Sequence, residues 1–352
     1  MTTSFQPIRL AIVGCGLITE DFHLPAALCS PLVQLVALVD NNLERASMLS
    51  RKYGCDASIH TRLEEIIGDI DGVLIATPNF THGPIARVAL EKGVPALIEK
   101  PLTTSYAEAL ELCELAEANR TFISVGYFSR HSPVVPLFKR LLEDGVFGTL
   151  KSFHFESGTA GGWTPLSGYN LDRRQAGGGV LVVRGTHFLD RMLYWFGMPK
   201  SFLFADDSYD GVEANCKAQL EFDGALGRFS GSLFFSKTID LKNKLVVESD
   251  LYRIEIPESE TEELTLYSHS LPGVRIAMRG DRGANAAPVT APDCFQNQID
   301  DFARAIRQKT SPLVDGREGA LSVKLLEDFY AHRSQLPEPW RWYGVQTMSV
   351  SK

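Results

Sequence analysis

Between Ile8 and Gly126 short apolar runs alternate with helical stretches, and no other feature narrows the possible folds as much. The runs Arg9 to Val13, Leu35 to Val39, Gly72 to Ala76, Ala96 to Glu99 and Phe122 to Val125 are apolar without a period of two, as strands buried on both faces are. Between them, Leu43 to Lys52 and Ala107 to Ala118 are rich in Ala, Leu and Glu. Pro84 to Glu91 carries proline in its first turn and stops before Gly93. This alternation predicts a parallel sheet covered by helices on both faces.

Beyond Gly126 the texture changes. A helix is expected from Pro133 to Glu143, then a strand from Leu150 to Glu156, a Gly-rich loop from Gly158 to Gly179 and a helix from Val180 to Phe196. Strand-like segments follow between Ser201 and Tyr267, broken by Asp-Gly and Asp-Asp turns, and predict a mainly antiparallel sheet. Two amphipathic helices, Cys294 to Gln308 and Glu318 to Arg333, precede a polar tail. The fold class expected is α/β: an N-terminal doubly wound domain over residues 1–126 and an α+β domain over residues 127–352.

At 352 residues there is chain enough for two cores of ordinary size. A net charge of -8 without long runs of either sign offers no field for nucleic acid or an anionic membrane, and no stretch approaches the ~18 apolar residues of a membrane span. The 6 cysteines are too scattered for a zinc site and too sparse for a disulfide framework, so they are expected as reduced thiols and no metal is expected. Met1 to Pro7 lack the basic start and apolar stretch of a secretory signal, which makes the cytoplasm the expected location.

The first strand runs into Gly14-Cys15-Gly16-Leu17-Ile18-Thr19, the first two glycines of a dinucleotide fingerprint with Thr at the third position. One glycine makes the tight turn, the next lets backbone approach a pyrophosphate, and Leu17 and Ile18 follow at the helix N-terminus. Asp40 ends the second strand at the spacing where an acid accepts hydrogen bonds from ribose hydroxyls and repels a 2′-phosphate, favouring NAD over NADP. Its neutral neighbour Asn41 agrees, whereas Arg45 is placed to reach a phosphate. A turn residue preparing the next helix is the alternative role for Asp40.

Two further strands end at the same edge. One leads into Ala76-Thr77-Pro78-Asn79-Phe80-Thr81-His82, whose Thr77, Asn79 and His82 suit either a cofactor edge or helix capping. The other ends in Glu99-Lys100-Pro101, a charged side chain where an apolar strand stops, facing the crevice that the glycine turn opens. That makes Lys100 a candidate catalytic group.

Together these segments resemble the glucose-fructose oxidoreductase and inositol dehydrogenase superfamily. The resemblance continues through Gly126-Tyr127-Phe128-Ser129-Arg130-His131-Ser132-Pro133, and then through Gly177-Gly178-Gly179, Gly185-Thr186-His187 and Asp190. It implies a Rossmann domain, an open C-terminal sheet serving a homodimer or homotetramer, and hydride transfer between nicotinamide and a hydroxyl carbon of a sugar or cyclitol. It also implies that Lys100 binds the reacting oxygen, that the Lys100–Pro101 bond is cis, and that His187 is a general acid or base. Ala76, Pro78, Glu99 and Arg130 are carried over to the cofactor and Tyr127 to the substrate. One position departs from the pattern: four residues before His187 stands Val183, where the family usually has Asp.

Oxidising a secondary alcohol requires a hydride acceptor, a group to take the hydroxyl proton, and donors where negative charge develops. Lys100, its ammonium disfavoured beside a cationic ring, and His187 are the candidates for the last two. Val183 can neither orient His187 nor stabilise its charged form. Arg184 is a candidate for an anionic substrate group, and Trp163, Tyr169 and Arg174 for stacking on and gripping a sugar; loop packing serves the last three equally well. A dinucleotide-sensing regulator without redox turnover and a glycoside-cleaving enzyme using transient oxidation are the alternative functions on this fold.

Overall fold

The structure, a computed structural model, describes residues 6–161, 168–209, 211–259, 261–281 and 289–336. Six strands, β1 (Ile8–Val13), β2 (Val33–Val39), β3 (Ser58–His60), β4 (Gly72–Ile75), β5 (Ala96–Ile98) and β6 (Ile123–Val125), form a wholly parallel sheet in the order β3-β2-β1-β4-β5-β6. That is the doubly wound dinucleotide order, with its switch point between β1 and β4. The helices between strands are α1 (Leu24–Cys29), α2 (Leu43–Tyr53), α3 (His82–Glu91) and α4 (Tyr106–Ala118). Asn42 caps α2 by accepting the N–H groups of Glu44 and Arg45.

Two elements here are additions to the sequence reading. The segment after the glycine turn forms a π turn, Thr19–His23, that runs into α1, although Phe22, His23 and Pro25 blur the apolar periodicity. Strand β3 has three residues with a single aliphatic among them, too short for periodicity to show.

The remaining elements are α5 (Val134–Glu143), β7 (Leu150–Gly158), α6 (Arg173–Ala176), α7 (Thr186–Phe196), β8 (Ser201–Asp206), β9 (Asn215–Gly224), β10 (Gly227–Ser236), β11 (Lys244–Ser249), β12 (Tyr252–Pro257), β13 (Glu263–Ser268), β14 (Arg275–Arg279), α8 (Ala291–Gln308), α9 (Gly316–Ala331) and β15 (Arg333–Gln335). Their nine strands make a second sheet, β14-β13-β12-β11-β7-β10-β9-β8-β15, in which only β7–β10 and β8–β15 pair in parallel. The sheet is therefore mostly antiparallel, as expected. Strand β9 alternates buried Ala218, Leu220 and Phe222 with exposed Lys217, Gln219 and Glu221, the pattern of a sheet with one wet face. Its dry face meets α5 and α7 in an aromatic core where Phe155 stacks on Phe188 with centroids 3.7 Å apart. The helix expected from Val180 begins with a second π turn, Leu181–Gly185, and becomes α-helical at Thr186.

The first sheet ends at Val125, yet its cover comes partly from the far end of the chain. Phe295, Ile299 and Phe302 of α8 pack on Leu10, Ile12 and Leu74, and Ala320 and Val323 of α9 pack beside Ile123 and Val125. Farther along α9, Leu326 and Phe329 enter the core of the second sheet, so this one helix pins both halves. Among the described residues no helix is long and apolar enough to cross a membrane.

Candidate active site

The C-terminal ends of β1, β2, β4 and β5 open into a cleft of about 720 Å³. Its second wall is Tyr169, Asn170, Val182 and Val183 from the other half of the molecule. Gly14 turns the chain at φ +96, and a Cβ there would lie 2.5 Å from the Ala76 carbonyl oxygen, so only glycine fits. Thr19 at the fingerprint's third position donates its hydroxyl to the Gly14 carbonyl at 2.6 Å and locks the turn. Space beside Gly16 is open, and Leu17 and Ile18 line the cleft with it.

Asp40 stands at the rim with Asn41. Its carboxylate accepts the N–H of Cys15 at 2.7 Å and the N–H of Asn42 at 2.8 Å, so it organises the turn and borders the cleft at once. Arg45 does not reach the cleft wall. Its guanidinium donates to the Cys15 carbonyl at 2.6 Å and pairs with Glu20, which also holds Lys52 at 2.6 Å. Arg45, expected to reach a phosphate, is instead engaged by the Cys15 carbonyl and Glu20.

Ala76, Thr77, Pro78 and Asn79 line the cleft as expected. Asn79 also reaches across it, donating its amide to the Ala176 carbonyl at 2.8 Å. His82 is a correction: fully buried, it lies 2.9 Å from both the Pro101 and the Thr77 carbonyl oxygens, tying the two strand-end loops together behind the cleft. Burial disfavours its charge, opposed by the bonds to these two carbonyls.

Glu99 and Lys100 close one end of the cleft, and the Lys100–Pro101 bond is cis. The Lys100 ammonium donates to the Val183 carbonyl at 2.8 Å. Burial pushes its pKa below the ordinary lysine value, opposed by Glu99 and reinforced by Lys237. His187, on the next turn of the helix, packs edge-on against Phe128 at 5.1 Å and Tyr127 at 6.1 Å, and its Nδ1 is buried without a hydrogen-bond partner. Burial, then the charges of Lys100 and Arg191, hold His187 well below the usual imidazole range, so it is neutral.

Four other expected site residues lie elsewhere. Tyr127 is fully buried with its hydroxyl 2.5 Å from that of Ser322 and its ring edge-on to His187, and it is not among the residues that line the cleft. Arg130 is buried between Asp190 at 2.8 Å and Glu318 at 3.1 Å with its guanidinium over Tyr194, and it is not among the residues that line the cleft. Arg184 pairs with Glu258 at 3.0 Å and Thr159 at 3.1 Å. Arg174 is exposed in a separate shallow depression with Leu171 and Asp172. Tyr169 does line the cleft, and Trp163 lies outside the described residues.

Sequence reasoning missed the group that shapes the second wall. Glu213, 3% exposed, accepts the N–H groups of Gly179 at 2.8 Å and Leu181 at 2.9 Å and the Tyr330 hydroxyl at 2.8 Å. A Cβ on Gly179 would strike the Glu213 backbone at 2.0 Å, which accounts for the last glycine of the triplet. Nothing in a linear pattern connects residue 213 to residue 179.

Residues 8–127 match the family model described as "Oxidoreductase family, NAD-binding Rossmann fold", and residues 139–335 match the "Oxidoreductase family, C-terminal alpha/beta domain". D-glucoside 3-dehydrogenase of Escherichia coli is 28% identical over 247 residues, 69% of each chain. Inositol 2-dehydrogenase 4 of Saccharopolyspora erythraea is 33% identical over 147 residues, 41% of this chain and 44% of that one. An oxidoreductase of Schizosaccharomyces pombe matches over 54% of its length, so the aligned stretch spans about half of several of these curated relatives. Levoglucosan dehydrogenase in complex with NADH and levoglucosan superposes with a TM-score of 0.81 at 21% identity, covering 93% of this chain and 97% of that one, which shows a common fold. With both family models matched in order, the chain belongs to the glucose-fructose oxidoreductase, inositol dehydrogenase and MocA family of oxidoreductases.

Proposed function

We propose that this protein is an NAD-dependent dehydrogenase or reductase that moves a hydride between nicotinamide and a secondary hydroxyl carbon of a sugar, sugar derivative or cyclitol. The observation that carries this reading is the placement of Lys100 at one end of a cleft whose other end is the Gly14–Gly16 turn and Asp40. A dinucleotide fits these residues: open space at Gly16 admits phosphate, and the anchored Asp40 carboxylate suits ribose hydroxyls. Because Arg45 is held by Glu20, the rim favours NAD over NADP. The dehydrogenases among the relatives support the same class of reaction, and neither the regulatory nor the glycoside-cleaving alternative is favoured by them.

Bound nicotinamide supplies the hydride acceptor or donor. The chain's own residues do the rest. Lys100, fixed by the Val183 carbonyl, presents its remaining N–H groups to the substrate oxygen and stabilises negative charge there. Neutral His187, close enough to Lys100 to feel its charge, is the group we assign to take the hydroxyl proton. Tyr169 and Asn170 border the opening through which a sugar-sized molecule enters. A second copy of the chain covering the wet face of the nine-stranded sheet, in a homodimer or homotetramer, completes the proposal.

The test is a spectrophotometric screen of the purified protein with NAD⁺ and NADP⁺ against aldoses, glycosides, anhydrosugars and inositols. NADH production with at least one of them, abolished in Lys100→Ala, is expected. Binding of no nicotinamide nucleotide would remove the reading.

A further inference from the structure

Two acidic side chains line the described cleft, Asp40 and Glu99. They stand at opposite ends. Asp40 follows β2 and Glu99 follows β5, with β1 and β4 between, a separation of roughly 14 Å at about 4.8 Å per strand. A dinucleotide whose adenosine ribose meets Asp40 therefore brings its nicotinamide to Glu99 and Lys100.

Glu99 is built to keep its charge there. It is 7% exposed; one oxygen accepts from His23 Nε2 at 2.8 Å and the other from the Lys100 backbone N–H at 3.0 Å. Burial works against the carboxylate, but the His23 bond and nearby Lys100 hold its pKa below the ordinary range. His23 is 1% exposed, lies edge-on to Phe295 at 5.1 Å, and has a buried Nδ1 with no partner. The ring engages one Glu99 oxygen through Nε2 and fixes the orientation of the carboxylate at the end of the cleft. Phe22, Phe295 and Phe128 stack in series beside it, with centroids 4.7 and 4.2 Å apart, and place apolar rings on that side of the pair.

We propose that Glu99, held by His23, is a specificity determinant for the redox state of the cofactor: its fixed negative charge favours the cationic oxidised ring over the neutral reduced one. The inference rests on the nicotinamide reading given above. Lys100 opposes this bias in absolute terms. The test is therefore read as a change between variants at position 99, and neutralising Glu99 also weakens its support of the Lys100 ammonium.

The experiment is titration calorimetry of the purified protein with NAD⁺ and with NADH, giving the ratio of the two Kd values. Glu99→Gln is expected to shift that ratio toward NADH by roughly tenfold or more, as removal of one nearby charge in a partly buried site should. Glu99→Asp, which keeps the charge, is expected to stay close to wild type. Because Glu99→Gln disturbs a buried hydrogen bond, the double variant His23→Leu, Glu99→Leu provides a second neutral site, apolar replacement of a buried polar pair being commonly tolerated. It should shift the ratio in the same direction. A ratio within twofold of wild type in both neutral variants overturns the role of Glu99 and leaves the nicotinamide site standing. Failure of wild type to bind either nucleotide overturns both.

Discussion

The two walls of the cleft are built by different means. The first is a set of strand ends whose loops are tied to one another: Thr19 on Gly14, Asp40 on Cys15 and Asn42, His82 between Thr77 and Pro101. The second is a segment suspended from distant residues, by Asn79 from the far side of the cleft and by Glu213 and Tyr330 from within its own half. The contrast teaches that the wall proposed to seat the cofactor is built from strand ends bonded to one another, while the wall proposed to face substrate is a strap whose position depends on a few hydrogen bonds to distant residues. Lys100 belongs to the first wall and is clasped by a main-chain carbonyl of the second, so it registers both.

The sharpest way to break this contrast is to remove the residue that joins the walls. Lys100→Ala should lower turnover by about two to four orders of magnitude, measured as kcat in steady state with the best substrate found. Asp40→Ser acts on the first wall alone; it is expected to cut the NAD over NADP preference in kcat/KM by roughly ten- to a hundredfold while leaving the sugar KM unchanged.

Val183→Asp tests the second wall. The new carboxylate would stand one helical turn from His187 and raise its pKa, so the His187 base, neutral in wild type to well below the usual imidazole range, would become charged as pH falls through the raised value. The acid limb of kcat/KM in the oxidation direction should move up by about one pH unit, and an unshifted limb would separate His187 from proton transfer. The smallest expected effect is in the strap: Tyr330→Phe leaves Glu213 one donor short and should cost about 1–2 kcal/mol in denaturant unfolding, with NAD⁺ affinity unchanged.

The first wall was largely legible because its parts lie next to one another in sequence. A strand that ends in glycines, another in Asp40, another in Lys100 are local patterns, and parallel topology brings their ends together without further information. The charged residues were less legible. Arg45, Arg130 and Arg184 each occupied a plausible position, but a guanidinium goes where an acid waits, and Glu20, Asp190 and Glu258 are distant in sequence. Val183 looked like a loss because its side chain cannot support His187. What it contributes to Lys100 is a carbonyl, and every residue type has one. The strap escaped for the same reason: Glu213 is an ordinary acid until folding buries it beneath Gly179.

The packing of α8 and α9 on the first sheet bears on how the chain comes off the ribosome. Phe302, which covers Leu10 and Ile12 of β1, is made about 290 residues after them, roughly 15–60 s at the usual ~5–20 residues per second. Until then the nascent N-terminal half carries a bare apolar face. Seat and strap are completed together, once α8 and α9 have been made.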